Sequence, residues 1–158
     1  LKRFCGGEWE KAVERVEVFQ VPDVYGLIVL ARERLGTHYT VIAVDSIIEP
    51  FRAQFRGRET LQVRQQTLHY VIDLLRRRAF HQGALVILTN QVLDVPEAFA
   101  AGVKRPAGGN ILLHTVNYLF MMVRPSKQKP EGYMWPLDVP GMSPEIKIRY
   151  TIEDDGLH

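Results

Sequence analysis

The chain has 158 residues, 46% of them hydrophobic and 24% charged, which suits one globular domain with a sizeable core. Its net charge of +2 gives no whole-chain argument for a polyanionic partner. The single cysteine, Cys5, excludes an internal disulfide framework and fits a reducing compartment, and no apolar run approaches the roughly 18 residues of a membrane span.

There is no signal-peptide pattern, and a start at Leu1 rather than Met points to a fragment or a processed chain. Residues 16–21 (VEVFQV) are rich in β-branched and aromatic side chains and predict a strand. Pro22-Asp23 opens a helix that stops at Gly36. Residues 40–45 (TVIAVD) are almost continuously apolar, the pattern of a parallel strand covered on both faces. A loop is predicted over 50–59 and a helix over 60–80, where Leu61, Leu68, Val71, Ile72, Leu75 and Ala79 recur at close to the helical period. Residues 84–89 (ALVILT) read as a second buried strand. A long connection over 91–110 carries Pro96, Gly102, Pro106, Gly108 and Gly109; connections of this length are usually functional or disordered. Strands predicted at 117–123, 133–138 and 146–151 are spaced for antiparallel pairing. Trp9, Trp135 and the pair Met121-Met122 read as packing residues. Strands alternating with helices and then a meander predict an α/β layer with an antiparallel edge.

Chemistry concentrates where the two apolar runs end. Asp45-Ser46 closes the first and Thr89-Asn90-Gln91 follows the second. Asp at the end of a buried strand is the Walker B arrangement, in which a carboxylate orders Mg²⁺ and its waters. The same Asp suits a helix or turn cap, and both readings stand. Gln91 is the candidate sensor of a terminal phosphate, because a carboxamide both donates and accepts; it equally suits loop backbone. Arg52, Arg56, Arg58 and Arg64, with Phe51 and Phe55 between them, form a basic loop and helix start, followed by Arg76, Arg77 and Arg78. Such arginines neutralise phosphates and such aromatics stack on bases or anchor the loop, while a solvated basic turn is the plainer reading. Lys104-Arg105 suits a nucleic-acid backbone, and Gly108-Gly109-Asn110 suits a helix entry that binds phosphate or does nothing more. His114, one helical turn on, is either a phosphate reporter or a core histidine. The phosphate-cradling loop GxxxxGK[ST] does not occur in these residues.

The segments VDS, FRAQFRGRETLQVRQQ, TNQV, RPAGGNILLH and LDVPGMSPE are colinear with the ATPase core of archaeal RadA recombinases, which the chain resembles from about Thr40 onward. The resemblance implies a RecA-like P-loop ATPase core: a mostly parallel sheet flanked by helices, with a C-terminal antiparallel meander, lacking the first strand and P-loop. It makes residues 1–158 one N-terminally incomplete domain. It assigns Asp45, with Ser46 beside it, to Walker B and Mg²⁺, and Gln91 to the link between nucleotide and the second DNA loop. Arg52, Arg58 and Arg64 go to the first DNA loop and its flank, and residues 92–107, which include Lys104 and Arg105, to the second, closed by Gly108 and Gly109. His114 falls near the γ-phosphate, and Asp138 and Pro140 in the cap over ATP bound by a neighbouring subunit. It implies ATP and Mg²⁺ as cofactors, single-stranded DNA as partner, a filament, ring or full-length recombinase as assembly, and a cytoplasmic, nucleoid-associated site in an archaeal cell.

The departures matter too. The Walker A loop and the upstream glutamate are missing from these residues, and Leu119 and Val123 stand where the family carries arginines. Without the strand before Walker A, edges inside the sheet would lack partners. Upstream residues outside this sequence are the expected completion; a reduced paralogue completed by another chain is the alternative. Either a DNA-dependent ATPase or a nucleotide-independent DNA-binding regulator follows. A signalling or timing ATPase is disfavoured by the arginine loop and the GGN-containing loop.

Overall fold

The computed structural model describes residues 5–36, 38–94, 104–107, 111–126 and 128–158, with the backbone alone at 93, 94, 104–106 and 113. The chain divides into two compact units, one of residues 21–116 and one of residues 1–20 with 117–158.

In the first of these units, Asp23 caps helix α2 (Val24–Val29) by accepting a hydrogen bond from the Gly26 amide at 2.7 Å. A five-residue π-helical segment, Leu30–Arg34, continues it, so the predicted 22–36 element stands. Asp23→Ala is expected to lower stability by about 1 kcal/mol in urea unfolding; an unchanged midpoint would show that the cap contributes nothing.

Strand β1 (Val41–Val44) pairs in parallel with β2 (Leu85–Leu88), Ile42 opposite Val86 and Val44 opposite Leu88. That face joins the core with Phe51, Leu68 and Leu75. The other face is not covered, contrary to the expectation from its apolar run. Val41 is 50%, Leu85 57% and Ile87 46% exposed. Side chains of a strand alternate between faces, and the core lies against only one of them here.

The predicted 50–59 loop is half helix: α3 spans Glu49–Gln54, with Pro50 in its first turn, where a missing N–H costs nothing. Helix α4 (Leu61–Gln82) buries Leu68, Val71, Ile72, Leu75 and Ala79 and ends at Gly83, whose φ of 65° glycine adopts without strain. Leu61, predicted with that set, is 41% exposed because it begins the helix ahead of the core. Arg78 donates to the carbonyls of Ala31 and Arg32, and Gln82 to that of Gly36, satisfying the end of the α2 segment.

The predicted 91–110 connection contains a short antiparallel pair, β3 (Val92–Asp94) with β4 (Lys104–Pro106), before α5 (Ile111–Thr115). Residues 95–103 and 108–110, the latter including Gly108 and Gly109, lie outside the described residues.

The other unit holds α1 (Trp9–Glu14) and an antiparallel sheet in the order β5 (Leu119–Val123), β6 (Glu131–Asp138), β7 (Ile148–Glu153) and β8 (Gly156–Leu157). The predicted meander is therefore present, with β8 as an unpredicted fourth strand. Met121 is buried but its neighbour Met122 is 49% exposed, as strand alternation requires. The segment 16–21 is not a strand. It joins no sheet among the described residues, and Val18 is 84% exposed. High β-propensity does not make a strand without a ladder partner.

Candidate functional site

Parallel pairing brings the carboxyl ends of β1 and β2 side by side, the usual place for ligands in an open α/β sheet. The ladder runs past both strands: the Thr89 amide donates to the Val44 carbonyl at 3.0 Å and the Ile47 amide to the Thr89 carbonyl at 3.1 Å. This places the Thr89 hydroxyl on Asp45, to which it donates at 2.5 Å. Asp45 is exposed, Ser46 is half-buried, and the peptide bond between them is cis.

Beside this pair lies a three-residue bridge. The Gln91 carboxamide donates to Glu49 Oε2 at 2.7 Å and accepts from Arg52 Nη1 at 2.5 Å. Both partners stand on α3. The Gln91 backbone is held elsewhere: its amide donates to Asn90 Oδ1 at 2.9 Å, and its carbonyl accepts from the Ala107 amide at 2.8 Å. Asn90 Nδ2 also donates to the Ala107 carbonyl at 2.8 Å. Gln91 therefore ties the helix before the arginine loop to the residue that follows β4. Asn90 satisfies loop backbone, whereas the Gln91 side chain uses both its donor and its acceptor on other side chains.

The arginine loop separates into different fates. Arg56 folds back onto the Ala53 carbonyl at 3.2 Å, and the Thr60 hydroxyl donates to the carbonyl of Arg56 at 2.8 Å. Arg58 is exposed after Gly57, whose φ of 86° lets the chain turn there. Arg64 is half-buried on α4, and its Nε is buried with no hydrogen-bond partner among the described residues. Phe51 anchors the loop: it is fully buried and stacks against Phe55 with ring centroids 6.4 Å apart. Arg76 and Arg77 pair with Asp73 at 2.8 and 2.7 Å. The Arg76 hydrogen bond, more than that of Arg77, holds the Asp73 carboxyl below its usual range. With Arg78 spent on helix carbonyls, this second basic cluster is engaged within the fold.

His114 is exposed, which removes the core-histidine reading. Its neighbour Thr115 is buried, donates to the Ile111 carbonyl at 2.6 Å and meets His69 Nδ1 at 3.1 Å, fixing α5 on α4. Lys104 and Arg105 lie on β4, where the backbone alone is described. Asp138 ends β6 and Pro140 follows it, both exposed and in the other unit. Glu49 does not stand out in the sequence. The spacing of Glu49 three residues before Arg52 is the one local signal for it.

Mg²⁺ in nucleotide sites takes one or two carboxylates, several waters and phosphate oxygens. An exposed Asp45 anchored by Thr89 fits that role, whereas the Gln91 carboxamide is engaged by Glu49 and Arg52. The sequence carries no GxxxxGK[ST], so the fit does not extend to a cradle for the phosphates.

Residues 12–158 match the Rad51 family. Over 117 residues the chain is 32% identical to the DNA repair and recombination protein RadA of Ignicoccus hospitalis, an alignment covering 74% of this chain and 35% of that protein. The chain thus spans about a third of the length of the curated relative it matches. The parallel strand pair ending in Asp45 and Thr89, the antiparallel meander and a match over nearly the whole sequence agree: the chain belongs to the Rad51 family, with its RecA-like α/β fold.

Proposed function

We propose that these residues form most of the ATPase core, one domain, of a recombinase that binds single-stranded DNA under ATP control in homologous recombination and DNA repair. The observation that carries this reading is the Gln91 bridge, which ties Arg52 of the first loop's helix to the start of the second loop. Asp45 would hold Mg²⁺ through a water, the ion would supply charge neutralisation to the phosphates of ATP, and Gln91 and His114 would report the terminal phosphate. Arg52, Arg56, Arg58 and Arg64, with Lys104, Arg105, Gly108 and Gly109, line the DNA path. Asp138 and Pro140 cap the nucleotide of a neighbouring copy in a filament or ring. The protein works in the cytoplasm, on the nucleoid of an archaeal cell; among the described residues no helix is long and apolar enough to cross a membrane.

Arg58→Ala tests the DNA path. Fluorescence anisotropy of a labelled oligo-dT should show weaker binding and a salt slope reduced by about 0.7, the change expected when one phosphate fewer is neutralised. An unchanged slope would remove Arg58 from the DNA site.

One observation favours a second reading, a DNA-binding regulator of a complete recombinase that does not itself use nucleotide. Leu119 and Val123, half-buried in β5, occupy positions where basic residues would serve the strand-exchange reaction. Binding indifferent to Mg-ATP would select this reading, and binding tightened by it would select the first.

A further inference from the structure

Glu49 and Arg52 stand three residues apart on one face of α3, the spacing at which opposite charges usually meet directly. Here the Gln91 carboxamide lies between them, its nitrogen on Glu49 at 2.7 Å and its oxygen on Arg52 at 2.5 Å. The charges set that orientation. A flipped amide would turn its oxygen to the carboxylate and its N–H groups to the guanidinium, and both contacts would repel. Glu49 thereby commits Gln91's donor to itself and Gln91's acceptor to Arg52. Glu49 and Arg52 are both exposed, so a phosphate can reach the bridge from solvent.

We propose that Glu49 is a positioning residue that latches Gln91 onto Arg52, so that a phosphate must displace this amide before it can engage the Arg52 Nη1 group. The inference rests on the function proposed above and deepens it by naming what restrains the DNA site when ligand is absent. A phosphate oxygen offers only acceptors. It takes the Arg52 guanidinium in a charge-assisted bond stronger than the one to a neutral amide. The displaced carboxamide then keeps a single side-chain partner, Glu49, and can swing its second N–H to a phosphate. The Gln91 backbone is pinned to Asn90 and Ala107, so this swing is felt at the end of the β3–β4 pair. Without Glu49 the Gln91 carboxamide is held by Arg52 alone, and the restraint on Arg52 is weaker from the start.

A double-mutant cycle separates a latch from a bare charge. Glu49→Ala, Gln91→Ala and the double variant of the full chain are titrated, nucleotide-free, against labelled oligo-dT at two salt concentrations. Glu49→Gln, which keeps volume and an acceptor, guards against a folding defect. Glu49→Ala should tighten binding about fivefold or more in the presence of Gln91. In the Gln91→Ala background, where Glu49 can meet Arg52 directly, the same change should tighten binding at least about twofold less. An equal gain in both backgrounds overturns the latch, because Glu49 then acts as a simple repulsive charge, and leaves the DNA-binding reading in place. No gain in either background overturns it in the same way. Absence of salt-sensitive binding by the wild type and every variant overturns the DNA-binding reading itself, and the latch with it.

Discussion

Phe51→Ala is expected to destabilise the protein by about 3–5 kcal/mol, a large part of the 5–15 kcal/mol typical of a whole domain. Phe51 is fully buried on α3 and belongs to the core cluster with Ile47, Ile48, Leu68 and Leu75. Removing the ring leaves a cavity among residues that α4 and β1 hold in place. Chemical denaturation measures the loss as a lower midpoint. Leu61→Ala, at an exposed helix start, should stay within about 0.5 kcal/mol. A loss below about 1 kcal/mol at Phe51 would mean that α3 does not dock through this ring. The position matters for function because the α3 turn that inserts Phe51 also presents Glu49 and Arg52 to Gln91.

On the proposed function, Asp45→Asn is expected to raise the Mg²⁺ concentration needed for ATP-stimulated DNA binding about 10- to 100-fold, the usual range for a residue acting on a metal through its waters. Asn preserves an acceptor for the Thr89 hydroxyl and so keeps the local geometry, but removes the charge. The midpoint of a magnesium titration measures the effect. Asp73→Asn is the contrast: that carboxylate is already engaged by Arg76 and Arg77, and its loss should leave the magnesium midpoint in place. An unchanged midpoint for Asp45→Asn would return Asp45 to its plainer role as a turn residue.

Local chemistry made much of this chain legible. Helix α4 follows from apolar residues at helical spacing, and α2 from Pro22-Asp23 at its start. Both signals act within a few residues, so sequence carries them whole. The Asp45 and Thr89-Asn90-Gln91 endings are visible for the same reason, each following a short apolar run. Less visible is what each polar group touches. Gln91 meets Glu49 and Arg52 across 42 and 39 residues of chain, and Thr89 meets Asp45 across 44. Arg76, Arg77 and Arg78 look like one basic cluster with the arginine loop. Their engagement depends on Asp73 beside them and on carbonyls 46 and 47 residues away.

Family membership, the alternation of helices and strands, the meander and the two strand endings that carry the candidate chemistry are all written along the chain. They rest on local periodicity, caps and colinear motifs. Three-dimensional packing was needed to establish that 16–21 is not a strand, that α3 interrupts the arginine loop, and that β1 and β2 cover one face and expose the other. Packing alone placed the Gln91 carboxamide between Glu49 and Arg52. Ladder partners, covered faces and side-chain bridges are set by which distant segments come together, and spacing along the chain carries no record of that choice.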